Sequence, residues 1–361
     1  MMDGKRLIAA DVHANASWLV GLELDTGELW QRRVAGPPSG ILDVLGPRCE
    51  GARLVYEAGP TGFGLARAGL ARGVEVLICS PGSVPKASGD RVKTDRRDAE
   101  RLLGAWRAGQ LTFVRLPTLA EEAFRDLIRA REDARGDLMR QRHRLSKFLL
   151  RRELRCPSAK AWTREWTRWL GTLEFDELPA RLTFGDYVAC VEQALQRRSL
   201  LDQAIERSWP DSPYAATIAR LRCFRGIDTL SAAGLASEIG DFERFGRPRY
   251  LAGFLGIVPS EHSSGERRRQ GHITKAGPGH ARRLLVEAAQ HYRHRPAVGL
   301  KLARRQTDCD PRVIATAWRA QRRLHDRWQH LHGQRGKHPN IVTIAVAREL
   351  AAFCWEAALI D

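Results

Sequence analysis

The chain has 361 residues, long for one compact domain, and predicts two or three. Hydrophobic residues make up 43%, which excludes a disordered chain, and no run approaches the roughly 18 uninterrupted apolar residues of a membrane span. Lys and Arg total 59 against 42 acids, a formal net charge of +17 with an isoelectric point near 10.3. A polyanion is the expected partner, because each neutralised phosphate releases condensed counterions.

The positive charge is uneven. Residues 265–305 hold eleven Lys/Arg against two acids, Glu266 and Glu287, whereas the first 30 residues hold two basic residues and five acids. Met1 to Arg6 passes straight into a strand-like run with no apolar signal region behind its charges, so a cytoplasmic protein is expected. Seven scattered cysteines (Cys49, Cys79, Cys156, Cys190, Cys223, Cys309, Cys354) form no Cys-x-x-Cys pair. They predict reduced, mostly buried thiols rather than a disulfide framework or a zinc site.

In chain order, Arg6 to Asp11 is a short apolar run that ends in an acid, and Ser17 to Leu24 is a second strand. Leu29 to Ala35 can pair with the second across the Asp25-Thr26-Gly27 turn. Arg53 to Ala58 is another strand, followed by a helix near 64–72, the strand 74–79, and a helix over 94–108 with Thr94 as its N-cap. Strands followed by alternating helix and strand make an α/β layered unit. From 119 to 154 the apolar positions Leu127, Ala134, Leu138, Leu145 and Leu149 recur at steps of seven and four. That spacing predicts a long helix with a coiled-coil seam, which could pair two protomers.

Residues 160–215 are Trp-rich and helical by composition, with Trp162, Trp166 and Trp169 expected on one helix face, mainly as core. Residues 220–245 read as helix, glycine-containing turn, helix, and turn. A Gly-rich basic segment over 256–280 follows, then helices to the end. No internal repeat or low-complexity tract interrupts this order.

The residues that carry chemistry are acids. Asp11 ends the first strand and Glu57 lies at the end of another; Asp95 and Asp98, three residues apart, share a helix face. Carboxylate oxygens suit hard divalent cations, and two such ions can stabilise both the attacking and the leaving oxygen of a phosphoryl displacement. Each acid alone is as easily a cap or a solvated side chain. The ordered set of strand Asp, strand Glu and helix Asp-x-x-Asp is far more specific.

Asp11, the segment Tyr56-Glu57-Ala58-Gly59-Pro60-Thr61-Gly62 and the segment Lys93-Thr94-Asp95-Arg96-Arg97-Asp98-Ala99 resemble the DEDD blocks of transposases of insertion-sequence family one-ten, relatives of Piv-type DNA invertases. A second block resembles that family's C-terminal domain. It runs Gly256-Ile257-Val258-Pro259, His262-Ser263-Ser264-Gly265, Ile273-Thr274-Lys275-Ala276-Gly277 and Arg282-Arg283-Leu284-Leu285. The likeness covers the first 110 residues and about 220–295, in the family's order, with the heptad helix between them.

The resemblance implies an RNase H-like (RuvC-like) α/β domain over 1–115, a helical coiled-coil region over 116–215 and a mostly α-helical C-terminal transposase domain over 216–361. It further implies that Asp11, Glu57, Asp95 and Asp98 bind Mg²⁺ or Mn²⁺, and that a C-terminal serine is the nucleophile. The family's Ser-Gly dipeptide falls on Ser264-Gly265, with Ser263 in reserve. A free serine is a poor nucleophile and needs a base or metal to activate it.

Arg267, Arg268, Arg269, Lys275, Arg282 and Arg283 surround this serine in sequence and are expected to neutralise phosphates. The expected Gly-Ile-Gly of a helix-hairpin-helix reads Gly226-Ile227-Asp228 here, which favours packing over DNA contact. The implied partners are DNA, a guide RNA from the element itself, and further copies of the chain. A plain Mg²⁺-dependent junction resolvase or nuclease, hydrolysing DNA with water, is the competing reading.

Overall fold

The computed structural model describes residues 5–85, 94–158, 160–261 and 269–360. The chain divides after Thr118 into two compact units.

The first unit is α/β. Strands β1 (Arg6–Val12), β2 (Ala16–Glu23), β3 (Leu29–Ala35), β4 (Ala52–Glu57), β5 (Glu75–Cys79) and β6 (Phe113–Val114) form one mixed sheet in the order β3-β2-β1-β4-β5-β6. β1 and β4 are the central parallel pair and β4–β5 is also parallel, while the remaining pairs are antiparallel. Alternate side chains leave a strand on opposite faces, and two separate cores follow from that. Ile8, Ala10, Leu19, Leu54 and Tyr56 pack under α1 (Ile41–Leu45) and α2 (Gly64–Ala71). Leu7, Ala9, Val20, Val55 and Cys79 pack under α3 (Asp95–Arg107) through Leu102, Leu103 and Trp106. The run of alanine and aliphatic residues in β1 is what a strand covered on both faces requires. Only Val34 is buried in β3, as suits an edge strand.

The second unit is helical. The long helix α4 (Leu119–Leu150) runs antiparallel to α6 (Leu178–Ser208): Phe124 and Ile128 share a core with Ile205, whereas Phe148 meets Phe184 and Tyr187 at the other end. Ala134, Leu138, Leu145 and Leu149 are all buried within the chain. The heptad seam is therefore filled by this chain's own α6, not held open for a second protomer. The far end of the hairpin has a core of its own, built from Leu138, Leu145, Phe148 and Leu149 with Trp166, Leu170 and Val191. The tryptophans contribute as core, but α5 (Arg164–Leu170) starts after Trp162, which sits at φ 70°. Trp162 reaches Trp166 from outside the helix, ring centroids 4.3 Å apart.

The rest of this unit packs α7 (Ala215–Leu221), α8 (Thr229–Ile239), α9 (Pro248–Phe254), α10 (Gly279–Ala289), α12 (Pro311–Trp328) and α13 (Pro339–Ala358) around one apolar core, while α11 (Leu300–Gln306) is tied on by Arg305 and Gln306, which donate to the carbonyls of Arg222 and Cys223 at 2.9 Å. The turn between α7 and α8 has a packing role. Ile227 is fully buried, and Gly226 lies so close to α10 that a Cβ there would meet the Ala288 carbonyl oxygen at 2.7 Å. Asp228 caps α8 by accepting the Ser231 N–H at 2.8 Å. The Gly-rich basic segment holds an unforeseen two-stranded hairpin, β7 (Pro259–Glu261) with β8 (Gln270–Ile273). Cys79, Cys223 and Cys354 are buried and the other four cysteines are only half-buried: Cys49, Cys156 and Cys309 pack at the margins of their cores, and Cys190 lies on a half-exposed side of α6. No helix among the described residues is long and apolar enough to cross a membrane.

Candidate active site

Asp11 follows the last parallel pair between β1 and β4, Ala10 with Tyr56, so Asp11 and Glu57 are the next residues at the same end of the two central strands. Thr94 starts α3 at that end: its hydroxyl accepts the Arg97 N–H, which sets Asp95 and Asp98 in the first helical turn. Acids there are favoured by the helix dipole as well as by any cation they hold.

The side chains that meet are Asp11, His13 and Asp95. His13 Nε2 lies 3.3 Å from an Asp11 carboxylate oxygen and 3.6 Å from one of Asp95. One ligand atom from each of the three falls within 4.8 Å of the others. Asp98 is not in that tight set and is held by Arg101 at 2.9 Å. Glu57 is exposed at the end of β4, beside Cys79 in the sheet register. Burial, and then the charge of Glu57, push the Cys79 thiol up to about 12, so that thiol is neutral and no nucleophile.

Burial raises the Asp11 carboxyl above its ordinary range. His13 opposes this, and the charges of Asp95 and Asp98 push the same way as burial. A half-buried carboxylate facing two other acids is under repulsion that a divalent cation removes. The three ligand atoms lie close enough together to share one divalent cation, and two carboxylates with an imidazole suit such an ion. His13 was not among the expected site residues. Its signal was nevertheless present: it lies two residues past Asp11, and side chains at that spacing share a side of an extended chain.

The second candidate region is in the helical unit. Ser264, its reserve Ser263, Arg267 and Arg268 fall in 262–268, outside the described residues; that stretch joins β7 to β8. The turns at residues 256 and 275–277 are tightly built. Lys275 is at φ 56°, Gly256 and Gly277 are at φ 63° and 65°, and an added Cβ on either glycine would run into backbone of the other segment. Arg282 donates to the carbonyls of Leu255 at 2.9 Å and Ala276 at 2.7 Å and so ties α9 to this turn. Arg283 binds Glu132 and Glu287, at 2.7 and 2.8 Å. Both guanidiniums are therefore engaged inside the protein, whereas Arg269 and Lys275 are exposed. Beside the hairpin is a cleft of about 580 Å³, lined by Ile257, Ile273, Ile341 and Ile344 with Lys275 and Arg348. Arg348 reaches it from α13, too far along the chain for local spacing to reveal.

Comparison with known proteins finds two family models along the chain. Residues 8–152 match the DEDD-type model of this transposase group, described as "Transposase", and residues 218–301 match the model described as "Transposase IS116/IS110/IS902 family". The chain is 41% identical over 84% of its length to "Putative transposase y4qE" of Sinorhizobium fredii, covering 74% of that protein. It is 34% identical over 78% of its length to the transposase for insertion sequence element IS1533 of Leptospira borgpetersenii, covering 82% of it. Two family models in the expected order, together with relatives aligned over most of their length, establish that this chain belongs to the IS116/IS110/IS902 family of transposases.

Proposed function

We propose that this transposase excises and inserts its element, in the cytoplasm, by attack of Ser264 on DNA phosphodiesters, assisted by Mg²⁺ or Mn²⁺ held by Asp11, Glu57, Asp95 and Asp98 with His13 beside them. The observation that carries the reading is the meeting of Asp11 and Asp95 around His13, at the carboxyl end of the central strand pair. The sheet order supports a RuvC-like fold for residues 1–115, with the helical hairpin of 116–215 and the serine-bearing 216–361 as the other two functional regions.

A bound divalent cation supplies charge neutralisation at the phosphoryl oxygens. The chain's own groups do the rest. The serine Oγ forms a bond to phosphorus as the bond from phosphorus to the leaving sugar oxygen breaks; serine loses its proton and the leaving oxygen gains one. The phosphoserine so formed conserves the bond energy, and a second sugar hydroxyl reverses the step on a new strand. His13 stands beside Asp11 and Asp95, where its imidazole can complete the ligand set. Lys275, Arg267, Arg268 and Arg269 neutralise phosphates near the scissile bond, with Arg348 alongside. A structured guide RNA is the second polyanion the +17 charge accommodates, and joining two DNA ends calls for at least two copies of the chain.

Direct metal binding tests the first half of this reading. Calorimetric or electron paramagnetic titration with Mn²⁺ should show a site in the wild type that weakens at least tenfold in Asp11→Ala and Asp95→Ala, on the scale of losing one hard ligand. Equal Mn²⁺ binding by all three proteins would place the metal elsewhere.

A further inference from the structure

We propose that the helical unit carries a second nucleic-acid site, a pocket between residues 297–306 and α12 that takes one unpaired nucleobase. The pocket has a volume of about 290 Å³ and is lined by Val298, Gln306, Ile314, Trp318 and Gln321. Trp318 is 41% exposed on a helix whose opposite face is core, so a large aromatic face is left at the mouth of an apolar recess. Three residues on, and so on the same side of α12, Gln321 is only 1% exposed.

The Gln321 amide has a defined orientation. Its Oε1 accepts the Ala297 backbone N–H at 3.1 Å, and only an oxygen can accept there. Its Nε2 is then a buried donor with no partner among the described residues. Burying a donor without an acceptor is unfavourable, and a ligand with a carbonyl or ring-nitrogen acceptor on a flat aromatic frame relieves it. A nucleobase has both: an acceptor edge for Gln321 and a π face for Trp318.

The surroundings select the same class of ligand. Residues 291–305 contain five Lys/Arg and no acid; Arg293, Arg295, Lys301 and Arg304 are exposed, as is Arg322 one helical turn beyond Trp318. Cations that flank the pocket-lining residues along the chain suit a phosphate-linked base and disfavour a basic peptide. The base must be unpaired, because a duplex keeps its faces stacked and its edges occupied. This inference rests on the reading of the chain as a nucleic-acid enzyme, but it assigns no part in the chemistry to these residues.

The test uses the full chain and short single-stranded DNA and RNA oligonucleotides carrying 5-iodouracil, irradiated and mapped by mass spectrometry. The expected crosslink lies on the α12 peptide containing Trp318. Trp318→Ala should weaken single-strand binding about tenfold, and Trp318→Phe, which keeps a stacking face, should restore most of it. Crosslinking with RNA alone identifies a guide strand as the source, with DNA alone a displaced DNA strand; either supports the pocket. A crosslink absent from α12, a Phe variant as weak as Ala, or an equal loss for duplex DNA would overturn it. Asp11→Ala should abolish cleavage and leave this crosslink intact, which separates failure of the pocket from failure of the metal site.

Discussion

Replacing Glu238 with Gln should destabilise the helical unit by an amount that depends on pH. Glu238, on α8, is buried to 8% exposure between Arg129 of α4, at 3.2 Å, and His280 of α10, at 3.7 Å. Burial alone would raise its carboxyl; the contacts from His280 and Arg129 more than offset this and hold it at about 2, against an ordinary 4.5. The folded value is the lower one, so the stabilisation is fully present above pH 4.5 and is lost as pH falls towards 2. At about 1.4 kcal/mol for each pH unit, the difference amounts to roughly 3 kcal/mol at pH 7, about half of it gone by pH 3. Seven of the ten tryptophans lie beyond residue 118, so urea unfolding followed by tryptophan fluorescence reports mainly on this unit. The gap between wild type and Glu238→Gln should be largest at neutral pH and narrow steadily below 4.5. A gap that stays constant from pH 7 to pH 3, or is below about 0.5 kcal/mol throughout, would refute the ion-pair account of this joint.

Three further substitutions test the framework around the sites. Gly277→Ala forces a Cβ into the Phe254 carbonyl at a positive φ and should cost at least about 2 kcal/mol in thermal unfolding; an unchanged melting temperature would mean the turn is looser than the structure has it. Asp228→Ala removes the α8 cap and should cost about 1 kcal/mol, recovered by Asp228→Ser; loss of DNA binding with unchanged stability would instead favour a DNA-contacting hairpin. Tyr292 is fully buried and its hydroxyl has no partner among the described residues, so Tyr292→Phe should leave the melting temperature unchanged or raise it; a clear fall would reveal an unrecognised hydrogen bond.

Much of the first unit was legible because its signals are local. β1 reads as a short apolar strand from its own residues, and Thr94 announces α3 by capping chemistry three residues long. The helix Leu119–Leu150 was legible for the same reason, in its sevenfold spacing. What answers that spacing was not: α6 begins 28 residues later with no matching heptad pattern, so the partner is set by packing at a distance. The β7–β8 hairpin was hidden because its strands are three and four residues long, among glycine and arginine that carry no alternation. In the acidic site the residue types were readable but not their mutual distances, and His13 was legible only in its place two residues past Asp11.

The most direct test of the central claim is denaturing-gel detection of a covalent protein–DNA adduct, formed with the element's own ends, Mg²⁺ and co-purified RNA. Wild type would be compared with Asp11→Ala, Ser264→Ala and Ser263→Ala. The account predicts an adduct in the wild type and in Ser263→Ala, and none in Asp11→Ala or Ser264→Ala. Cleavage without an adduct, retained in Ser264→Ala, would contradict it and identify a metal-dependent nuclease that uses water.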